Sequence, residues 1–236
     1  MGRIFRDATP EQEQEFIEER RKSAFLAASK SPSRWLSTAN RHKRAADILY
    51  EIAHAAHERE MVRTQKEFER TKAKMANKGL KSWSESKTLE GEELQDFLDS
   101  ELLSDYLLLA GYALECVVKG GLLARQPGLV EDDKMLAKTV TTHDLKRLCR
   151  DCGISLSTLE RQIIDIIAWH VDWGKYPAPK NLKDMPSPVE PNLTPLDIPG
   201  SPFHERKVQK LIDGLYLRGC QLLENLRKSN SQAGPQ

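Results

Sequence analysis

The groups through which this 236-residue chain could do chemistry are few: six histidines, four cysteines, and carboxylates and lysines set among apolar residues. His170, Asp172, Lys175 and Tyr176 cluster where a helical pattern gives way to proline, and together offer a proton shuttle, an acid and phosphate contacts, as phosphodiester hydrolysis requires. Trp169 and Trp173, four apart, share one helical face there and read as packing before base stacking. Glu115 and Lys119 stand i, i+4 in the order that favours a helical ion pair, amid apolar neighbours, and read as a structural pair; Lys119 turned into a cleft would instead meet phosphate. His143 and Asp144 fall in the expected first turn of a helix, where an aspartate suits the positive end of the dipole and the histidine is a candidate acid or base. The single Cys149-Arg-Asp-Cys152 has His143 six residues upstream but no evident fourth ligand, so no metal or cofactor is expected. No glycine-rich phosphate loop, G-x-S-x-G or H-E-x-x-H occurs, which leaves the common ATPase, hydrolase and metalloprotease readings without support.

The elements that must position these groups are helices. No stretch alternates like a strand, and no Asn-Gly or Asp-Gly dipeptide marks a hairpin. Thr9-Pro10-Glu11-Gln12 supplies a cap, a first-position proline and a capping-box partner for a helix running to about Ser29. Ser31-Pro32 restarts the chain, and nothing interrupts until Gly79: Trp35, Ala39, Ala46, Leu49, Ile52, Ala53 and Ala56 recur at helical spacing, and the end beyond Glu58 is charged and projecting. A third helix is expected from between Thr88 and Glu92 to Arg125, burying Leu94, Phe97, Leu98, Leu102, Leu109, Tyr112, Ala113, Cys116 and Val117. Gly111, Gly120 and Gly121 inside it call for close helix approach as compensation. A short helix from Thr141 or Thr142 to Gly153 follows, then one opened by Ser157-Thr-Leu-Glu160, and last one after Ser201-Pro202 with a 3-4 stripe from Val208 to Leu226. Pro177 to Pro202 holds eight of the twelve prolines and reads as an extended strap.

Charge and hydropathy narrow the class. Lysine plus arginine number 36 against 35 acidic residues, so no global field marks a nucleic-acid glue or an acidic tail. Residues 1–80 carry 17 basic and 12 acidic groups and residues 81–105 carry two and eight, a dipolar arm hidden in the balance. The early charges leave no room for a signal peptide, and the apolar run from Tyr106 to Val118, broken by Glu115, is shorter than the roughly 20 residues of a span. A cytoplasmic protein with reduced thiols and no membrane association is expected.

Leu109-Ala-Gly-Tyr-Ala-Leu-Glu-Cys-Val-Val-Lys-Gly-Gly-Leu-Leu123, then Thr142-His-Asp-Leu-Lys-Arg-Leu148, then Trp173-Gly-Lys-Tyr-Pro177, resembles the HEPN family in order and spacing, with the motifs strongest over residues 106–177. The resemblance implies an all-α antiparallel bundle over residues 31–228, commonly dimeric, in a family tied to RNA cleavage, nucleotide binding, toxin–antitoxin pairs and antiviral defence. It leaves residues 1–30 as a separate N-terminal helix, 58–90 as a charged extension and 229–236 as a disordered tail. The family's RNases use Arg-x4-6-His; none of His42, His54, His57, His143, His170 or His204 has an arginine five to seven residues before it, and Lys175 stands where an arginine would be expected. The resulting expectation is a non-catalytic association module in a prokaryotic defence or toxin–antitoxin setting. It would bind RNA, a nucleotide or a protein partner, or a second copy of itself, with Lys119, Asp144, Asp172, Trp173 and Lys175 as candidate contacts. Two alternatives accompany it: a divergent metal-independent ribonuclease using His170 or His143 with Lys175 and Tyr176, and a helical scaffold acting through the charged arm.

Overall fold

In a computed structural model the described residues are 9–78, 88–130, 138–173 and 206–232. The fold is all-α, a helical bundle. Its helices are α1 (Pro10–Ser29), α2 (Pro32–Lys78), α3 (Gly91–Arg125), α4 (Lys138–Thr141), α5 (Leu145–Asp151), α6 (Thr158–Trp173) and α7 (Arg206–Gln232), with a 3-10 turn at Pro127–Leu129. The starts follow local chemistry. Thr9 Oγ1 accepts the Gln12 amide N–H while Gln12 Oε1 accepts that of Thr9, and Ser157 and Glu160 repeat the exchange ahead of α6. The 47 residues of α2 span about 70 Å at 1.5 Å per residue.

The chain divides into two compact units. The first comprises Met1–Arg41, Ala113–Arg161 and Leu215–Gln236. Its buried side chains include Leu123, Val130 and Val140, with Phe25, Leu26, Trp35 and Leu129 packed on them. The Trp35 indole N–H donates to the Ser29 carbonyl (2.8 Å), which fixes the corner between α1 and α2. A methyl group on Gly120 would stand 2.6 Å from Trp35 Cβ, so two helices meet there at a separation only glycine allows.

The second unit comprises His42–Tyr112 and Gln162–Gly214. Ala46, Tyr50, Ala53 and Ala56 of α2 are buried, as are Leu103, Tyr106, Leu107 and Ala110 of α3. The Tyr50 and Tyr106 rings meet at 5.0 Å, tilted. Gly111 admits Val171 of α6 so closely that a Cβ would lie 2.5 Å from its methyl. Lys43 is held between Asp47 and Asp213 (2.7 Å to the latter). Farther along α2, Arg59 (2.7 Å) and Arg63 both grip the buried carboxylate of Asp96 on α3.

Four expectations change. Leu94, Phe97 and Leu98 are not on the buried side of α3; they are 42, 40 and 47% exposed, because Asp96 turns inward to the two arginines and carries the apolar side chains out with the opposite face. The helix expected from Thr141 or Thr142 begins only at Leu145: residues 142–144 separate it from the short α4 before them, and the Asp144 carboxylate accepts the Arg147 N–H (3.0 Å) and caps α5. His143 and Asp144 therefore precede the first turn. Third, α3 keeps its expected bounds but is apolar over more than the 13-residue run: an 18-residue window has mean hydropathy 1.6, enough by length and composition to cross a membrane, and 78% of that window is buried within the protein. Finally, α7 runs to Gln232, past the expected end of ordered helix. The proline strap, with Lys175 and Tyr176, lies outside the described residues.

Candidate functional site

Two constellations stand in the first unit. The first is built on α3, where one helical turn separates Glu115 and Lys119 and the surrounding helix is apolar. Both are buried, and Lys119 Nζ donates to Glu115 Oε1 at 2.7 Å. The second oxygen, Oε2, lies 2.9 Å from Nδ1 of His143. An ionised carboxylate only accepts, so Nδ1 carries the hydrogen and Nε2 is the nitrogen free to exchange a proton. The Thr142 hydroxyl takes the Asp144 N–H (3.1 Å) and Asp144 caps α5, so the backbone holding His143 is fixed on one side. With its side chain 39% exposed, the imidazole joins a buried ion pair to solvent.

The second constellation is a cleft of about 440 Å³ lined by Lys146, Arg150, Gly153, Ile154, Ser155, Leu156 and Arg161. Its floor is the turn from α5 to α6. Cys152 ends α5, and Gly153 takes φ +80°, a left-handed conformation that glycine adopts freely. That turn exposes carbonyls, and arginines from three helices take them. Arg125 Nη1 donates to Cys152 O (2.9 Å), Arg218 Nη1 to Ser155 O (3.0 Å), and Arg161 to Leu156 O through two N–H groups (3.2 and 3.0 Å). Lys146 and Arg150, one turn apart on α5, supply the opposite wall. With Arg147 there are six cations at this turn, against the carboxylates of Asp144, of Asp151, which pairs with Arg147 and Arg150, and of Glu160, which pairs with Arg218. An open cleft with an excess of guanidinium and ammonium groups over a turn three of whose carbonyls are taken by arginines suits a phosphate-bearing ligand.

The sequence-derived candidates separate. Glu115, Lys119 and His143 come together, and Asp144 stands beside them as a helix cap. His170 belongs to the second unit, where Nδ1 donates to the Ile166 carbonyl (2.8 Å) and desolvation pulls the imidazole below its ordinary range against that bond's opposing effect. Asp172 and Trp173 fall in the last turn of α6. Cys149 and Cys152 are buried free thiols, pushed up by burial to about 12 and about 11, and Cys152 Sγ donates to the Val118 carbonyl. They are packed groups without the activation that redox chemistry needs. Among the described residues no cluster of three or more His, Cys, Asp or Glu could hold a metal. Sequence reasoning missed Lys146, Arg150 and Arg161; the i, i+4 basic pair on α5 was the one local signal, and the rest of the cleft depends on the turn.

Comparison with protein-family models, with curated proteins and with solved structures gives no match.

Proposed function

We propose that the protein is a non-catalytic helical module that binds the phosphate groups of RNA or a nucleotide at the cleft between α5 and α6. The observation that carries this reading is the cleft itself, where Lys146, Arg150 and Arg161 line about 440 Å³ of open volume. Phosphate contacts from arginine and lysine supply affinity that falls with salt and depends little on base sequence, so a backbone-binding mode is expected. The HEPN resemblance supports RNA or nucleotide as ligand and is the sole source of the prokaryotic defence or toxin–antitoxin setting. The test is fluorescence anisotropy with a short labelled single-stranded RNA. Wild type should bind with an affinity that drops steeply as salt rises, and Lys146→Glu with Arg150→Glu should lose at least tenfold. Equal binding by the double variant, with its circular dichroism unchanged, would sink the proposal.

A second reading has one observation in its favour. The Glu115 carboxylate on His143 Nδ1 orients an imidazole whose other nitrogen can take a proton, the arrangement a general base in a metal-independent ribonuclease needs. RNA cleavage in EDTA by wild type, lost in His143→Ala and kept in His170→Ala, would favour this reading over the first. No cleavage by wild type removes it.

A further inference from the structure

The long helix α2 continues past its partner. Asp96 of α3 lies between Arg59 and Arg63, so Gly91, where α3 begins, comes level with about Lys66, and α2 runs on to Lys78. From Met61 onward, Met61, Thr64, Phe68, Thr71 and Met75 follow one another at 3-4-3-4 spacing, with Met61, Phe68 and Met75 seven apart and a threonine between, while Val62 falls outside this row. That is the spacing of a two-stranded coiled-coil seam. Among the described residues the seam is not fully covered: Phe68, at its centre, is 61% exposed and Met61 42%, while Thr71 and Met75 are half-buried. A lone helix with this little apolar surface gains no stability by exposing a phenylalanine.

We propose that the seam is a contact between two copies of this chain, the α2 arm of one packing in parallel along that of the other. The charges beside it choose the occupant. Taking Met61, Phe68 and Met75 as the a positions, exposed Glu67 is a g position and exposed Lys72 the following e position. In a parallel pair these face each other across the seam, so each copy's Glu67 meets the other's Lys72 and the contact forms twice. The helix is thus complementary to itself along the row, and the cations Arg63, Lys66 and Arg70 fall at c and f positions, away from it. Two heptads make a weak seam, so a concentration-dependent dimer is expected. This inference goes beyond the cleft and stands whether or not RNA binds there.

Sedimentation equilibrium of nuclease-treated protein over a wide concentration range tests it. Wild type should show a monomer–dimer equilibrium. Phe68→Glu should shift it to monomer with helix content unchanged, since the side chain is mostly exposed. Glu67→Lys and Lys72→Glu should each weaken the dimer through like charges across the seam, and an equimolar mixture of the two variants should recover it as a heterodimer. A wild-type chain that is monomeric at every concentration would overturn the proposal. So would a dimer that ignores all three substitutions, or association that appears only when RNA is added.

Discussion

The two ends of α3 solve different problems with one helix. From Ala113 to Ala124 nearly every side chain is buried, glycine brings a neighbouring helix into contact, and the polar residues there, Glu115 and Lys119, satisfy one another and His143. From Gly91 to Leu102 the buried anchor is Asp96, held by two arginines, and Leu94, Phe97 and Leu98 face outward. Shape specifies the first region, so a misplaced atom costs a full steric or desolvation penalty. Charge specifies the second, where the pairing arginines are partly exposed and water screens the attraction. The comparison places close packing around the Glu115–Lys119–His143 cluster and adaptability in the arm.

The strongest challenge to that contrast is Lys119→Met. Removing one partner of a buried pair leaves a carboxylate with a single histidine, and a loss of about 3–5 kcal/mol in urea unfolding is expected. A loss below about 1 kcal/mol would contradict a tight interior there. Gly120→Ala comes next. The added methyl would strike Trp35, for an expected cost of about 1–3 kcal/mol. Gly214 in α7 has open space around it, with nothing within 4 Å of where an added methyl would sit, so Gly214→Ala should be neutral or gain up to about 1 kcal/mol of helix propensity. Similar outcomes for both glycines would remove the close-packing argument.

In the arm the effects shrink and become local. Hydrogen bonds from Arg59 and then Arg63 hold the Asp96 carboxyl below its ordinary value of 3.8. A depressed carboxylate stabilises the folded state above its unfolded pKa, and that contribution fades as pH falls below about 3.8 toward the folded value. Hydrogen exchange should therefore show the start of α3 losing protection in that acid window in wild type, and at neutral pH in Asp96→Asn, with the first unit unaffected. Smallest of all, Phe97→Ser should change unfolding free energy by no more than about 0.5 kcal/mol, since its side chain is already substantially exposed. A multi-kilocalorie loss would mean that the outward face of α3 is covered.

Local chemistry made much of this legible in the sequence. The capping pairs Thr9–Gln12 and Ser157–Glu160, the all-α composition, and the need for close approach at Gly111 and Gly120 follow from neighbours a few residues apart. The inward Asp96 was not legible, because hydrophobic periodicity alone cannot anticipate an aspartate held by Arg59 and Arg63 more than 30 residues away. The same limit hid the third member of the Glu115–Lys119 cluster: His143 joins it across 28 residues, through a break between α4 and α5 that a capping aspartate creates. The cleft was hardest, since Arg125, Arg161 and Arg218 meet only once the Gly153 turn has formed.

The central claim is that phosphate binds at the α5–α6 turn, and mapping amide chemical shifts during titration with a short single-stranded RNA tests it most directly. The account predicts that the largest changes fall on Gly153, Ile154 and Ser155 and on the helix carrying Lys146 and Arg150, and that they reverse on adding salt. Changes confined to residues 59–78 of the arm, or none anywhere, would contradict it.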